Sequence, residues 1–250
     1  MRGVPVNRSG SSAQAVVTAL VGLVSIAGAC ALALAGGPLY GPVPFALFGA
    51  ALLVFAPLAA PPRWNGKPEE REIELGDGPV RALVIPFARW RFAAQAAFTL
   101  LVTLGGLLGI VLGLAAGESG FATAMGVWSL VMAPMAVLAV RRLTLRCHLA
   151  MTSGRLHLRA PGNRIDVAWD DVESVDPLPA GGRLLYGITL APGVDAPSGG
   201  AAGRLRERFG AHVFVQADWL AVHPDDVMEA FTRHLSGEDG GGRHDGGVIG

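Results

Sequence analysis

Residues 9 to 62, SGSSAQAVVTALVGLVSIAGACALALAGGPLYGPVPFALFGAALLVFAPLAAPP, contain no Asp, Glu, Lys or Arg. A helix rising about 1.5 Å per residue crosses a hydrocarbon core of about 30 Å in roughly 20 apolar residues. The run is therefore long enough for two spans. The break falls at Gly36-Gly37-Pro38-Leu39-Tyr40-Gly41-Pro42, because Gly and Pro end helices and Tyr40 suits an interface. This places a first span at 14–35 and a second at 43–60. Between Phe92 and Val140 only Glu118 interrupts a second charge-free stretch. It accommodates a third span at Phe92–Ala116 and a fourth at Phe121–Val140, joined by the turn Gly117-Glu118-Ser119-Gly120.

Composition agrees with that division. The 250 residues are 51% hydrophobic and only 16% charged, a poor match to a soluble domain of this size. Nearly all the charge lies in residues 63–91 and after 140. Such a distribution excludes a fully soluble enzyme, a disordered tail protein and a secreted disulfide scaffold. Twenty Lys plus Arg against twenty Asp plus Glu leaves no basic excess for nucleic acid. Cys30 and Cys147 sit in unlike settings, with no spacing suited to zinc. Motif searches for metalloprotease, serine-hydrolase, nucleotide and dinucleotide signatures return nothing. No catalytic, cofactor or metal residue is assigned, and the reading is non-enzymatic.

Arg and Lys set the expected orientation. Arg2 and Arg8 precede the first span, Arg63, Lys67, Arg71, Arg81, Arg89 and Arg91 follow the second, and Arg141 and Arg142 follow the fourth. The two hairpin turns carry none. The positive-inside rule then puts both termini and the middle loop in the cytoplasm, in a multi-pass protein of the inner membrane. A signal peptide cleaved after Ala33-Leu34-Ala35 competes with the first span, but the apolar stretch is longer than an h-region and a second span follows at once. No ionisable group lies within any span, which argues against a pump, an ion-coupled transporter or an intramembrane protease. Gly105, Gly109 and Gly113 recur every four residues and define a face on which another helix can approach closely. Packing within the bundle is the favoured use of that face, and a homodimer seam is the alternative.

The segment 61–91 is patterned. Ile73 and Leu75 alternate with Glu72 and Glu74, Gly76-Asp77-Gly78-Pro79 signals a turn, and Val80 with Ala82 to Ile85 follows, which together read as a β-hairpin. Trp64, Trp90 and Phe92 beside Arg63, Arg89 and Arg91 read as interfacial anchors. From Leu143 the period becomes two: Leu143, Leu145, Cys147 and Leu149, then Leu156 and Leu158, then Ile165, Val167 and Trp169, with further strands at 184–190 and 212–222. The Gly- and Pro-rich residues 192–204 read as a loop or insertion. Pro224, Asp225 and Asp226 open a final helix that closes with Arg233 and His234. Residues 236–250 form a Gly-rich tail.

The hairpin opening Leu143-Thr144-Leu145 with its Ser153-Gly154 turn, followed by Ile165-Asp166-Val167-Ala168-Trp169-Asp170-Asp171-Val172-Glu173-Ser174-Val175, resembles the bacterial PH-like domains that follow membrane helices in small membrane proteins. The resemblance covers about 142–235 and implies a seven-stranded bent barrel capped by a helix. Only five or six strands can be counted there, and the hairpin at 72–85 is a candidate for the missing edge.

The expected architecture is thus an α+β membrane protein. It comprises an N-terminal arm (1–13), a transmembrane hairpin (14–60), a cytoplasmic loop with a β-hairpin (61–91), a second hairpin (92–140), a PH-like antiparallel domain with its capping helix (141–235) and a tail (236–250). Arg141, Arg142 and Arg146 are candidate contacts for lipid headgroups, each worth on the order of 1 kcal/mol against anionic lipid. Against that stands the balance of residues 141–250, twelve Arg against fourteen Asp plus Glu. The expected partners are membrane lipids and a protein or second copy. The expected function is a membrane anchor for a domain mediating protein or lipid contacts, with an accessory transport subunit as the alternative.

Overall fold

The computed structural model describes residues 9–60, 62, 64–75, 78–160, 163–180, 183–194 and 200–237. Arg2 and Arg8 of the arm, Arg63, the turn residues Gly76 and Asp77, and the tail from Glu238 onward lie outside them. The chain is α+β and divides into two compact units, each made of segments discontinuous in sequence. Among the described residues, those from 9 to 62 and from 88 to 145 form a helical unit, and those from 64 to 87 and from 146 to 237 a β-rich one.

The helical unit contains α1 (Ser9–Leu34), α2 (Pro42–Ala59), α3 (Arg89–Ala115) and α4 (Ser119–Thr144). Each is long and apolar enough to cross a membrane. Two glycines stop the first and third helices by one device. Gly36 and Gly117 both have φ of +77°, a backbone conformation that costs a residue with a Cβ but not glycine. Gly36 N–H donates to Ala33 O and Gly37 N–H to Leu32 O, and the same pair recurs from Gly117 to Leu114 and from Glu118 to Gly113. These are Schellman ends, which satisfy carbonyls that would otherwise lack donors. Most of the residues buried in this unit are small, among them Gly49, Ala51 and Ala56 on α2, Ala96, Gly105 and Gly109 on α3, and Ala122, Ala136 and Ala139 on α4, with Arg91, Phe92 and Val102 of α3 as larger exceptions. The large side chains point away, with Leu130 76%, Val24 70% and Val137 66% exposed.

The ends of α3 and α4 lie outside the boundaries at 92 and 140 expected from charge. Arg141 and Arg142 occupy the last turn of α4, where the negative end of the helix dipole favours cations. Arg89 and Arg91 lie in the first turn of α3. The anchor reading of this cluster needs correction, because Arg91 and Phe92 are buried. The Arg91 guanidinium sits over the Trp90 ring at 5.1 Å, and its Nη2 donates to the Ala60 carbonyl just past α2 at 3.5 Å. Trp64 belongs to the other unit and stacks edge-on against His223.

Among the described residues the β unit holds eight strands in two antiparallel sheets and no closed barrel. β1 (Glu69–Leu75), β2 (Gly78–Pro86), β3 (His148–Met151), β4 (Arg155–Ala160) and β5 (Asn163–Ala168) form the first sheet in chain order. β6 (Val172–Ala180), β7 (Arg183–Leu190) and β8 (Val213–Gln216) form the second. The hairpin of the 61–91 segment thus supplies two strands: β2 pairs with β3 in the register Leu83 with Met151 and Ile85 with Leu149, although α3 and α4 intervene in sequence. Inward-facing Ile85, Leu149, Met151, Leu156 and Leu158 share the core with Tyr186, Ile188, Val227 and Phe231. A single 3-10 turn, Trp169–Asp171, carries the chain between sheets. Trp169 is buried edge-on to Phe231, and its indole N–H donates to Thr152 O at 2.8 Å. Burial pushes the Tyr186 pKa far above its usual range, so the hydroxyl stays protonated and donates to Pro224 O.

Three expectations for this unit change. Leu143 and Thr144 continue α4, and the strand begins only at His148; a four-residue period-two stretch at the end of a long helix does not outweigh the helical hydrogen bonds already running into it. Residues 200–209 are a helix, α5 (Gly200–Phe209), so Arg204, Arg206 and Arg208 are exposed on a helix and not on a loop. The strand expected over 212–222 ends at Gln216 and passes into a 3-10 turn. The final helix, α6 (Pro224–Leu235), opens with Asp225 and Asp226 and closes with Arg233 and His234.

Candidate functional site

On α3 the three spaced glycines lie on the buried face. A Cβ at Gly105 would meet Leu47 at 3.4 Å, one at Gly109 would meet Met125 at 2.8 Å and Pro44 at 3.3 Å, and one at Gly113 would meet Phe121 at 3.1 Å. The glycine face is thus occupied by α2 and α4 of the same chain. Gly106, outside the four-residue spacing, makes a closer approach, and a Cβ there would collide with the Ser129 hydroxyl. Ser129 is buried, and its Oγ has no hydrogen-bond partner. Beside Gly105 and Gly106 the helices leave an apolar cleft of about 220 Å³, walled by Phe45, Phe48, Phe121 and Trp128. It holds no ionisable side chain.

The arginines singled out for lipid contact do not fall in one unit. Arg141, exposed, and Arg142, half-buried, end α4 in the helical unit, whereas exposed Arg146 precedes β3 in the β unit. In the β unit a cleft of about 370 Å³ lies between Lys67 and Leu83 on one side and Asp226, Glu229 and Arg233 of α6 on the other. The charges along its α6 wall are partly neutralised, since Arg233 pairs with Glu229 at 2.9 Å.

A different cluster emerges from strand alternation. Leu156 and Leu158 of β4 and Ile165 and Val167 of β5 face the core, which turns Arg155, His157 and Arg159, and Arg164 and Asp166, to the opposite face. The register places His148, Arg159 and Arg164 directly opposite one another in one row, and Ala150, His157 and Asp166 in the next. Asp166 is the one carboxylate on β3, β4 and β5. Its Oδ1 accepts from Arg155 Nε at 2.6 Å and lies 3.3 Å from His157 Nδ1. Among the described residues neither Arg159 nor Arg164 has an ion pair. The His157 side chain is only 8% exposed, and its Nε2 has no hydrogen-bond partner.

Electrostatics follow the geometry. Burial lowers the His157 pKa below the ordinary histidine value; Asp166 opposes the shift, and Arg155 and Arg164 reinforce it. Burial also lowers that of His148, whose Nδ1 lies 3.2 Å from Arg146 O, and Arg159, His157 and Arg71 add to the effect. None of these side chains stands out as a candidate in the sequence taken residue by residue. The signal was present in the alternation of residues 155–159 and 164–166, but the facing of the two strands is needed to see it.

Among the described residues no three His, Cys, Asp or Glu side chains are grouped to hold a metal. Cys30 and Cys147 form no disulfide. No family model, no curated protein and no solved structure matches the chain.

Proposed function

We propose that this chain is a multi-pass protein of the cytoplasmic membrane, without catalytic activity of its own. In this reading its four helices anchor a cytoplasmic PH-like domain that mediates protein or lipid contacts at the inner leaflet. The observation that carries the membrane part is the inverted burial of the helical unit, with mostly Gly and Ala inside and most of the Leu and Val side chains outside. In water each large apolar side chain left out of a core forgoes about 1.5–3 kcal/mol, and a contiguous surface of them would aggregate. In lipid the same arrangement is favourable, because acyl chains solvate the outer side chains while small residues let backbones approach. The apolar cleft, free of ionisable groups, supports an anchor more than a conduit.

Topology supports the same reading. β2 and β3 are hydrogen-bonded neighbours, so a chain that enters a bilayer after β2 must return to the same side before β3, as a pair of spans does. The arginine distribution selects the cytoplasm as that side. The PH-like reading is supported by strand count. Strands β2 to β5 and β6 to β8 make four plus three, α6 follows them, and β1 is then an added edge strand.

Single-cysteine mapping tests this in a Cys30→Ala, Cys147→Ser background. Cysteines replacing Tyr40 and Glu118 are expected to react with an impermeant maleimide in intact cells, whereas one replacing Ser236 reacts only after permeabilisation. Labelling of Ser236→Cys from outside, or release of the protein by alkaline carbonate, would overturn the proposal.

A further inference from the structure

We propose that the cross-strand row His148, Arg159 and Arg164, with His157 beside it, is a binding site for a phosphate-type oxyanion, either a phosphomonoester or a phosphodiester. Like charges directly opposite on neighbouring strands are unfavourable, yet Arg159 and Arg164 occupy that relationship. Asp166, which could neutralise one of them, is already engaged by Arg155 and His157. Two guanidinium groups carried on directly paired residues can together supply several N–H donors, which match the acceptors of a tetrahedral oxyanion better than those of a single carboxylate.

His157 is the independent sign of a ligand. A buried polar nitrogen without a partner is costly, and this one lies on the same face, one row from the two arginines. With Nδ1 beside Asp166, a protonated ring can donate from Nδ1 to the carboxylate, and its charge adds to that of the two arginines in the next row. The ionisable groups that act on these rings are Arg159, His157 and Arg71 for His148, and Asp166, Arg155 and Arg164 for His157. Burial and these cations disfavour protonation of both imidazoles, and a bound anion opposes the electrostatic part of that bias. The row includes none of Arg141, Arg142 and Arg146. The inference needs only the face of the first sheet, so a failed topology test leaves it standing, and its own failure leaves the membrane reading intact.

The test uses the full chain in nanodiscs of zwitterionic lipid. Inorganic phosphate is titrated against chloride at constant ionic strength while the histidine side chains are followed by NMR. A saturable shift of His148 and His157, with both pKa values rising, is expected. Arg164→Gln and Arg159→Gln, both at exposed positions without ion pairs, should each weaken binding by about tenfold, the loss of one charged hydrogen-bonding partner, and leave the thermal midpoint without phosphate unchanged. Arg183→Gln, exposed on β7, should bind as the wild type does. Replacing part of the lipid by phosphatidic acid distinguishes the sources. Shifts without added phosphate identify a headgroup, and shifts only with added phosphate identify a soluble ester. A response that does not saturate, that is absent, or that is equal in all variants overturns the site.

Discussion

Val84 on β2 and Ala150 on β3 are cross-strand partners and both are buried, so the first sheet is closed by residues that flank the α3–α4 hairpin on either side. Residues 146–237 alone would therefore leave β3 as an open edge and strip the partners from Leu149 and Met151. That fragment is expected to show no cooperative thermal transition by circular dichroism and to bind a hydrophobic dye. Fusing residues 64–86 to residue 148 through a hairpin loop of about 2–5 residues should restore a sharp transition. A cooperatively folding fragment without β1 and β2 would contradict this account.

Trp169→Phe keeps most of the ring in the core but removes the donor to the Thr152 carbonyl. An orphaned buried acceptor costs about 1–3 kcal/mol. Denaturant unfolding of the whole protein should show a loss in that range, and an unchanged midpoint would mean that the bond contributes nothing.

Gly109→Leu forces four carbons into space held by Met125 and Pro44, and overpacking costs about 1–3 kcal/mol. Gly126→Ala adds a methyl that meets only Ile110 at 4.0 Å and should stabilise α4 by about 0.5–1 kcal/mol. Unfolding midpoints in mixed micelles should move in opposite directions for the two variants.

His148 and His157 have folded pKa values below the ordinary one. As pH falls below about 6.5, the unfolded chain takes up protons that the folded imidazoles refuse. Stability should then be level above that pH and decline below it, until the folded values are passed. Chemical denaturation across pH 7.5 to 5.5 should show a shallower decline in His157→Gln. An equal slope would remove His157 from the linkage.

Much of this architecture is local enough to be read from residue order. Charge-free runs locate the four helices, Gly36 and Gly117 mark two ends, and Pro224-Asp225-Asp226 marks the start of α6. What escaped depends on long-range pairing or competing local signals. Arg141 and Arg142 look like a stop but suit a helix C-terminus, so α4 continues into a stretch that alternates like a strand. Gly200 and Gly203 disguise α5. The pairing of β2 with β3 has no local signature, because each strand alternates in the same way whatever lies beside it. For the same reason the row His148, Arg159, Arg164 stays hidden until the register is known, whereas Gly105, Gly109 and Gly113 on one helix announce themselves by spacing.

The interrupted sheet also orders the protein's birth. A ribosome working at roughly 5–20 residues per second delivers β2 several seconds before β3, with two apolar helices to be synthesised in between. During that interval β2 as well as β1 is an edge strand, and β2 gains its second neighbour only when α3 and α4 have been made. In the proposed membrane topology, completion of the sheet thus certifies that the helix pair has been placed with both ends on one side. A nascent chain that fails this step would display the open edge of β2, a recognisable mark for quality control.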